Sequence, residues 1–178
     1  MKLNLNEKKL PVNNANGILT HLWGTSYIED LIWIYVPQFD NDLDGWSLEI
    51  VSARPKLFMP QFTFLVLLQN GNLSKNNTLE ALSSTVSIQY PQVEFKIKIN
   101  DYNIKIKCKL NLEQATRYIY RDPGGSSRYI AHSDASEVIC QVEKNKFKKL
   151  LMCKNMSAVE FHSIKPWDNE PYLDPLVT

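Results

Sequence analysis

The stretch VEFKIKINDYNIKIKCKL (residues 93–110) decides the fold class of this 178-residue chain. Apolar and polar side chains alternate on both sides of Asn100-Asp101, and period-two alternation around a two-residue loop predicts a β-hairpin. Pairing Ile99 with Tyr102 makes one side of this hairpin uniformly apolar, because successive side chains of a strand point to opposite faces. The sequence therefore predicts an antiparallel hairpin whose apolar side belongs to the core.

The polar side of the hairpin consists almost entirely of lysine, with Glu94 as its one carboxylate. In the predicted register Lys96 lies opposite Lys105, and like charges placed opposite each other destabilise a sheet. We therefore expect this side to meet an anion, such as phospholipid headgroups, nucleic-acid phosphates or an acidic protein surface. The alternative is an edge hairpin that uses lysines to block aggregation. We name the following residues the lysine face: Lys96, Lys98, Lys105, Lys107 and Lys109.

The formal net charge of +1 hides a basic middle and an acidic end. Residues 91–155 carry 13 lysines and arginines against 7 acidic residues, a net charge of +6, whereas residues 156–178 carry 1 against 4. This asymmetry indicates an anionic partner for the basic part. A second group of lysines could extend the lysine face or form a solvated helix surface: Lys144, Lys146, Lys148, Lys149 and Lys154.

Three further strands are predicted from runs of β-branched and aromatic residues at 28–36, 46–52 and 62–68. A short helix is predicted at 78–82, capped by Asn77 or Thr78. A second, longer helix is predicted to begin at Ser133 and to extend to about residue 154, although 138–142 also suits a strand. Residues 112–120 also suit a helix.

These elements predict the α+β fold class, as a single domain with an antiparallel β-sheet and one or two packed helices. A hydrophobic content of 44% is sufficient for a core. We expect a flexible polar arm at 1–17, a β-rich globular domain at 18–165, and an extended, acidic, proline-containing tail at 166–178. In the tail, Trp167 is a candidate for an exposed contact residue or for a core residue.

A flexible loop is predicted at 121–128, because Pro-Gly-Gly interrupts regular structure. Glycine amides and arginine side chains also suit an anion, so a phosphate-binding loop is the alternative. The residues that would act in this loop are Arg121, Gly124, Gly125 and Arg128.

The stretch with Asp40, Asp42 and Asp44 begins like a calcium-binding loop, in which alternate carboxylates converge on one ion. Such a loop needs a bidentate glutamate at its twelfth position, which here is Val51. A solvated acidic hairpin loop is therefore favoured over weak calcium binding.

The motifs of the chain do not indicate catalysis. His132-Ser133-Asp134 contains the residue types of a catalytic triad, but adjacency in sequence does not produce triad geometry. The three histidines and three cysteines lack the spacing of zinc ligands. We expect a protein that is not an enzyme and that uses no cofactor and no metal.

The longest apolar runs, 31–36 and 64–68, are far shorter than the roughly 20 residues of a membrane-spanning helix. Residues 1–6 lack the apolar centre of a secretory signal. We therefore expect an intracellular protein with reduced cysteines, in the cytoplasm or at the periphery of a membrane.

The order of elements resembles the small matrix proteins of negative-strand RNA viruses, most of all those of plant rhabdoviruses. The resemblance covers residues 28–155 and lies in a strand-rich domain, a short capped helix before the 93–110 hairpin, a loop at 121–128 and a basic C-terminal helix. It implies a structural protein of the virion, located in the host cytoplasm, that forms a homo-oligomer and contacts the inner membrane surface and the nucleocapsid. The alternatives are a nucleic-acid-binding module of the viral movement or silencing type, and an enzyme of an unrecognised family.

Overall fold

The computed structural model describes residues 28–56, 58–121 and 124–174, together with the backbone of two short strands near the N-terminus. These strands, β1 (Lys2–Leu5) and β2 (Lys8–Pro11), pair with each other in antiparallel fashion. The remainder of the predicted arm at 1–17 and the last four residues of the predicted tail lie outside the described residues.

The protein is essentially all-β, with 63% strand and 6% helix, so the predicted α+β class is wrong. The remaining ten strands are β3 (Asp30–Val36), β4 (Trp46–Arg54), β5 (Phe62–Gln69), β6 (Asn72–Lys75), β7 (Thr85–Gln89), β8 (Gln92–Ile99), β9 (Tyr102–Lys109), β10 (Thr116–Arg121), β11 (Ser127–Lys144) and β12 (Phe147–Ser163). They form one antiparallel sheet in the order β6-β5-β4-β3-β12-β11-β9-β8-β7, and β10 pairs with the first part of β11.

The predicted 93–110 hairpin is confirmed in its register. Ile99 pairs with Tyr102, and Lys96 lies opposite Lys105. Asn100 takes a positive φ of 51°, a conformation that asparagine adopts more readily than most residues. The predicted strands at 28–36, 46–52 and 62–68 correspond to β3, β4 and β5.

A long hairpin of β11 and β12 replaces the predicted C-terminal helix. Val138, Cys140 and Val142 are buried while the residues between them are less so, which is the period of a strand. The break in the helical pattern is the turn at Asn145, where φ is 52°. Residues 112–120 are not helical either, because a single 3-10 turn at Leu112–Gln114 leads directly into β10.

The one α-helix among the described residues, α1 (Thr78–Ser83), agrees with the prediction for 78–82. Asn77 is its N-cap and accepts a hydrogen bond from the Glu80 N–H at 3.0 Å, while the Glu80 carboxylate accepts one from the Asn77 N–H at 2.8 Å. This capping box satisfies two backbone donors that a helix start leaves open. Glu80 also accepts a hydrogen bond from the Asn100 N–H, which joins α1 to the β8–β9 turn.

Strands β11 and β12 are the two longest strands of the sheet, and both bend near their middle. Their register shifts between Ser133 and Val138, and such bulges bend a strand. Buried polar groups at the bend are paired: Ser157 Oγ donates to the Ser136 carbonyl at 2.6 Å, and the Asn111 N–H donates to Ser136 Oγ at 3.2 Å. The bend divides the sheet into a first half, which contains β3 to β6 and β10, and a second half, which contains β7 to β9. Strands β11 and β12 belong to both halves.

The two halves enclose one core. Ile34 and Leu65 come from the first half, Phe95 and Ile106 from the second, and all four are fully buried in the same cluster. The apolar side of the 93–110 hairpin is therefore core, as predicted. Neither helix in the described part of the chain is long and apolar enough to cross a membrane.

The C-terminal segment up to residue 174 runs along β10. Leu173 accepts a hydrogen bond from the Ile119 N–H at 2.8 Å and donates one to the Arg117 carbonyl at 3.0 Å. Trp167 is partly buried and stacks on Tyr90 with ring centroids 5.6 Å apart. Trp167 is therefore part of the packing between this segment and the core.

Candidate functional site

The lysine face is the outer surface of the second half of the sheet. Its members alternate with buried residues such as Phe95 and Ile106, so the core fixes the backbone from which the lysines project. Strand β7 flanks β8, and β11 flanks β9. Because neither strand of the hairpin is an edge strand, protection against edge aggregation does not explain these lysines.

Glu94 organises part of the lysine face. Its carboxylate lies 3.0 Å from Lys105 Nζ and 3.6 Å from Lys107 Nζ. The hydrogen bond from Lys105, with the charges of both lysines, holds the pKa of Glu94 below its usual value despite some desolvation. Pairing with Glu94 also offsets the repulsion between Lys96 and Lys105. The opposed pair is thus tolerated within the chain and does not by itself require an external anion.

Three members of the lysine face project into solvent, and Glu137 on β11 lies opposite one of them, Lys109. Lys96, Lys98 and Lys109 are exposed and form no ion pair with any residue in the described ranges. Lysines fixed on a rigid strand without internal partners are available to an external anion. These three residues, not the Lys96–Lys105 opposition, carry the anion-binding hypothesis.

Neighbouring strands extend this surface with uncharged side chains in two cross-strand rows, while β11 places Glu137 opposite Lys109 and Glu143 opposite Asn103. One cross-strand row contains Thr85, Lys96, Lys105, Gln141 and Leu150. The next row contains Ser87, Glu94, Lys107, Ile139 and Met152. The lysine face therefore continues into an apolar margin, in which Leu150 has half of its surface exposed.

Sequence reasoning missed this margin because residues 133–154 were assigned to a helix. The alternation of Val138, Cys140 and Val142 with Gln141 and its neighbours was the available signal. The alternation indicates a strand, but the pairing of β11 with β9, which places Gln141 beside Lys105, is visible only in the structure.

A shallow groove of about 370 Å³ lies on the lysine face near the end of α1. Its polar lining offers hydroxyl, amide and ammonium groups, which can donate hydrogen bonds to phosphate oxygens, and one carboxylate, Glu143, which pairs with Lys148. The lining residues that could do so are Ser83, Thr85, Lys96, Lys98, Asn103 and Lys105.

The second group of lysines does not join the lysine face as a unit. Lys144 lies at the rim of the sheet, 3.5 Å from Asp101 and over the Tyr102 ring at 4.8 Å. Lys148 lies on the outer surface but is 2.8 Å from Glu143. Exposed positions without a described ion pair are held by Lys146, in the β11–β12 turn, and by Lys154.

The acidic stretch is an exposed loop between β3 and β4, and Asp42 is the one buried residue among residues 40–45. The Asp42 side chain is fully buried and accepts hydrogen bonds from the N–H groups of Trp46 at 2.6 Å and Asp44 at 3.1 Å. Burial raises the pKa of Asp42, but these bonds and Lys149 outweigh it and lower the pKa. Lys149 bonds both Asp42 and Asp44, so an ammonium group occupies the position between the carboxylates.

The two arginines of the 121–128 segment are engaged in the fold. Arg121 ends β10 and forms an ion pair with Asp174. Arg128 lies within β11, is buried, and donates from Nε to the Ile28 carbonyl at 3.1 Å. These contacts compete with the predicted phosphate-binding role. The turn between β10 and β11 contains Gly124 and Gly125.

A separate ionisable cluster lies on the first half of the sheet. Glu160 sits between His132, whose Nδ1 is 2.9 Å from Oε2, and His162, whose Nε2 bonds Oε1. Burial raises the pKa of Glu160, but the two histidines outweigh it and lower that pKa to about 2. The nearby Glu160 carboxylate raises the pKa of His132. Ser133 is buried, and its Oγ accepts a hydrogen bond from the Ala135 N–H at 3.2 Å.

No protein-family model, curated protein or solved structure matches this chain.

Proposed function

We propose that this protein is a non-enzymatic structural protein of the viral matrix type. It self-associates, and its lysine face bridges the anionic inner surface of a membrane and the ribonucleoprotein. The observation that carries the proposal is the rigid hairpin at the interior of the sheet, with Lys96, Lys98 and Lys109 free of described ion pairs.

Charge arithmetic makes this role feasible. A lysine held near an anionic membrane contributes about 1 kcal/mol, so three contribute roughly 3 kcal/mol. That corresponds to roughly a hundredfold preference for an anionic over a neutral surface. Several copies on one surface would multiply the effect.

The apolar margin favours a membrane over a nucleic acid as the principal partner. Leu150 and Met152 lie in the same cross-strand rows as Lys105 and Lys107. Basic and apolar side chains side by side suit the boundary between headgroups and hydrocarbon. Binding of single-stranded nucleic acid instead uses aromatic side chains on which bases stack, and the two cross-strand rows contain none.

Flotation of the purified protein with vesicles tests the proposal. We expect co-flotation with phosphatidylserine-containing vesicles at low salt, reduced binding at high salt, and little binding to phosphatidylcholine alone. Equal binding to both vesicles, or none to either, would contradict the membrane role. Salt-dependent binding to RNA without vesicle binding would support the nucleic-acid alternative instead.

A further inference from the structure

The free edge of β7 carries unpaired backbone groups. Gln89 pairs with Gln92 across a two-residue turn, so the N–H and C=O groups of Thr85, Ser87 and Gln89 point toward β8. Those of Val86 and Ile88 must then point outward. Within the described ranges they meet no backbone or side-chain partner.

The other exposed edges of the described sheet are each protected. Asn41 hydrogen-bonds the Leu150 carbonyl at 2.9 Å and the Met152 N–H at 2.8 Å, which covers the edge of β12. Leu173 covers β10, and the Asn76 side chain bonds the backbone of β5 beyond β6. Strand β6 is only four residues long and ends in a lysine. Strand β7 has no charged residue, no proline and no such cover, so it is the edge best suited to pair with another strand.

We propose that β7 pairs with β7 of a second copy of this chain, antiparallel about a two-fold axis at Ser87. Val86 then lies opposite Ile88 of the partner subunit, and their outward groups form four hydrogen bonds across the pair of strands. Thr85 lies opposite Gln89 of the partner subunit, so no like charges meet. The polar–apolar order of Thr-Val-Ser-Ile-Gln is the same in both directions, which makes this edge self-complementary.

The pairing also improves burial and extends the lysine face. Val86 and Ile88 are partly buried at the margin of the core, and a second strand beside them would cover more of their surface. A two-fold axis perpendicular to the sheet places both lysine faces on the same side of one continuous sheet. The inference thus specifies the self-association in the proposed function, although the pairing itself depends only on the edge geometry.

A single-cysteine experiment tests this register. In Ser87→Cys the two new thiols face each other in a non-hydrogen-bonded pair, with Cα atoms about 4.5 Å apart, which a disulfide can span. In the control Thr85→Cys the equivalent residues are four positions out of register, roughly 13 Å along the strands. The native cysteines are buried. Under mild oxidation, we expect covalent dimers from Ser87→Cys only; equal cross-linking of both variants would overturn the proposal.

A second variant gives an independent reading. Ser87→Lys places two lysines opposite each other at the axis, and we expect sedimentation to show at least about a tenfold weaker dimer. The control Asn72→Lys adds the same charge on β6, and identical weakening in both variants would argue against the β7 interface. Wild-type protein that floats with anionic vesicles but forms no β7 dimer would overturn this inference and leave the lysine-face proposal standing. Wild-type protein that dimerises through β7 but fails to float would contradict only the membrane role.

Discussion

At the residue scale, Glu160 shows how two histidines keep a partly buried carboxylate ionised. Burial alone favours the neutral acid, yet His132 and His162 each contact one carboxylate oxygen. Tyr118 adds its hydroxyl at 3.3 Å from Oε2, and Asp134 lies 3.1 Å from His132 Nε2. The ionised Glu160 carboxylate and a protonated His132 therefore stabilise each other.

The stability of this cluster depends on pH in a predictable direction. Glu160 has a pKa lowered to about 2 from 4.5, so its contribution is present above pH 4.5 and is lost as the pH falls toward about 2. His132 has a raised pKa, so its contribution is complete below pH 6.5 and is lost as the pH rises through the folded-state value. Both contributions coincide between about pH 4.5 and 6.5.

We predict that Glu160→Gln lowers the free energy of unfolding most near pH 5.5, by up to about 3 kcal/mol. The difference from wild type should shrink at both lower and higher pH. Urea denaturation at three pH values measures it, with the exposed Glu113→Gln as the matched control. A difference that stays constant with pH would show that the cluster does not act through charge.

At the element scale, the two hairpins show why one was predictable and the other was not. In the 93–110 hairpin the alternation is unbroken and the two-residue loop fixes the register, so local sequence is sufficient. In β11–β12, Ile139 is apolar on the outer surface, and Leu150 is an exposed neighbour of buried Leu151. These residues imitate the apolar stripe of a helix, and only their sheet neighbours, distant in sequence, decide otherwise.

The same limit applies to the candidate site. The members of the lysine face could be identified from sequence, because they occupy the alternate positions that form one side of the 93–110 hairpin. The hydrogen bond of Arg128 could not be predicted from sequence, because its partner, the Ile28 carbonyl, is 100 positions away in the chain. The apolar margin could not be predicted from sequence either, because it depends on the pairing of β9 with β11.

The edge of β12 provides a prediction about an element. Asn41→Ala removes the side chain that bonds the Leu150 carbonyl and the Met152 N–H. We expect the free energy of unfolding to fall by about 1–2 kcal/mol, because two backbone groups lose their partner. Urea denaturation measures the loss. The exposed Asn169→Ala serves as the control, and equal stability of the two variants would show that this contact does not hold the edge.

At the scale of the whole molecule, one bent sheet separates two different surfaces. The second half presents the lysine face and its apolar margin, while the first half presents the Glu160 cluster. The core between them holds the strands in place, so the charges of the lysine face are fixed relative to one another. A fixed charged plane is what the proposed membrane contact requires.

The central claim is that position on the lysine face, and not net charge, determines anion binding. Two double variants with the same charge change test it: Lys96→Glu with Lys98→Glu on the lysine face, and Lys75→Glu with Lys165→Glu elsewhere. All four lysines are exposed, and none forms an ion pair within the described part of the chain. The change in folded-state contacts should therefore be small in both.

The deciding measurement is the partition coefficient of each double variant onto phosphatidylserine-containing vesicles at low salt. We predict a loss of at least about 30-fold for the variant on the lysine face, from about 1 kcal/mol per lysine removed. The control variant should lose less than about threefold through its net charge alone. Equal losses in the two variants would contradict a specific role for the lysine face.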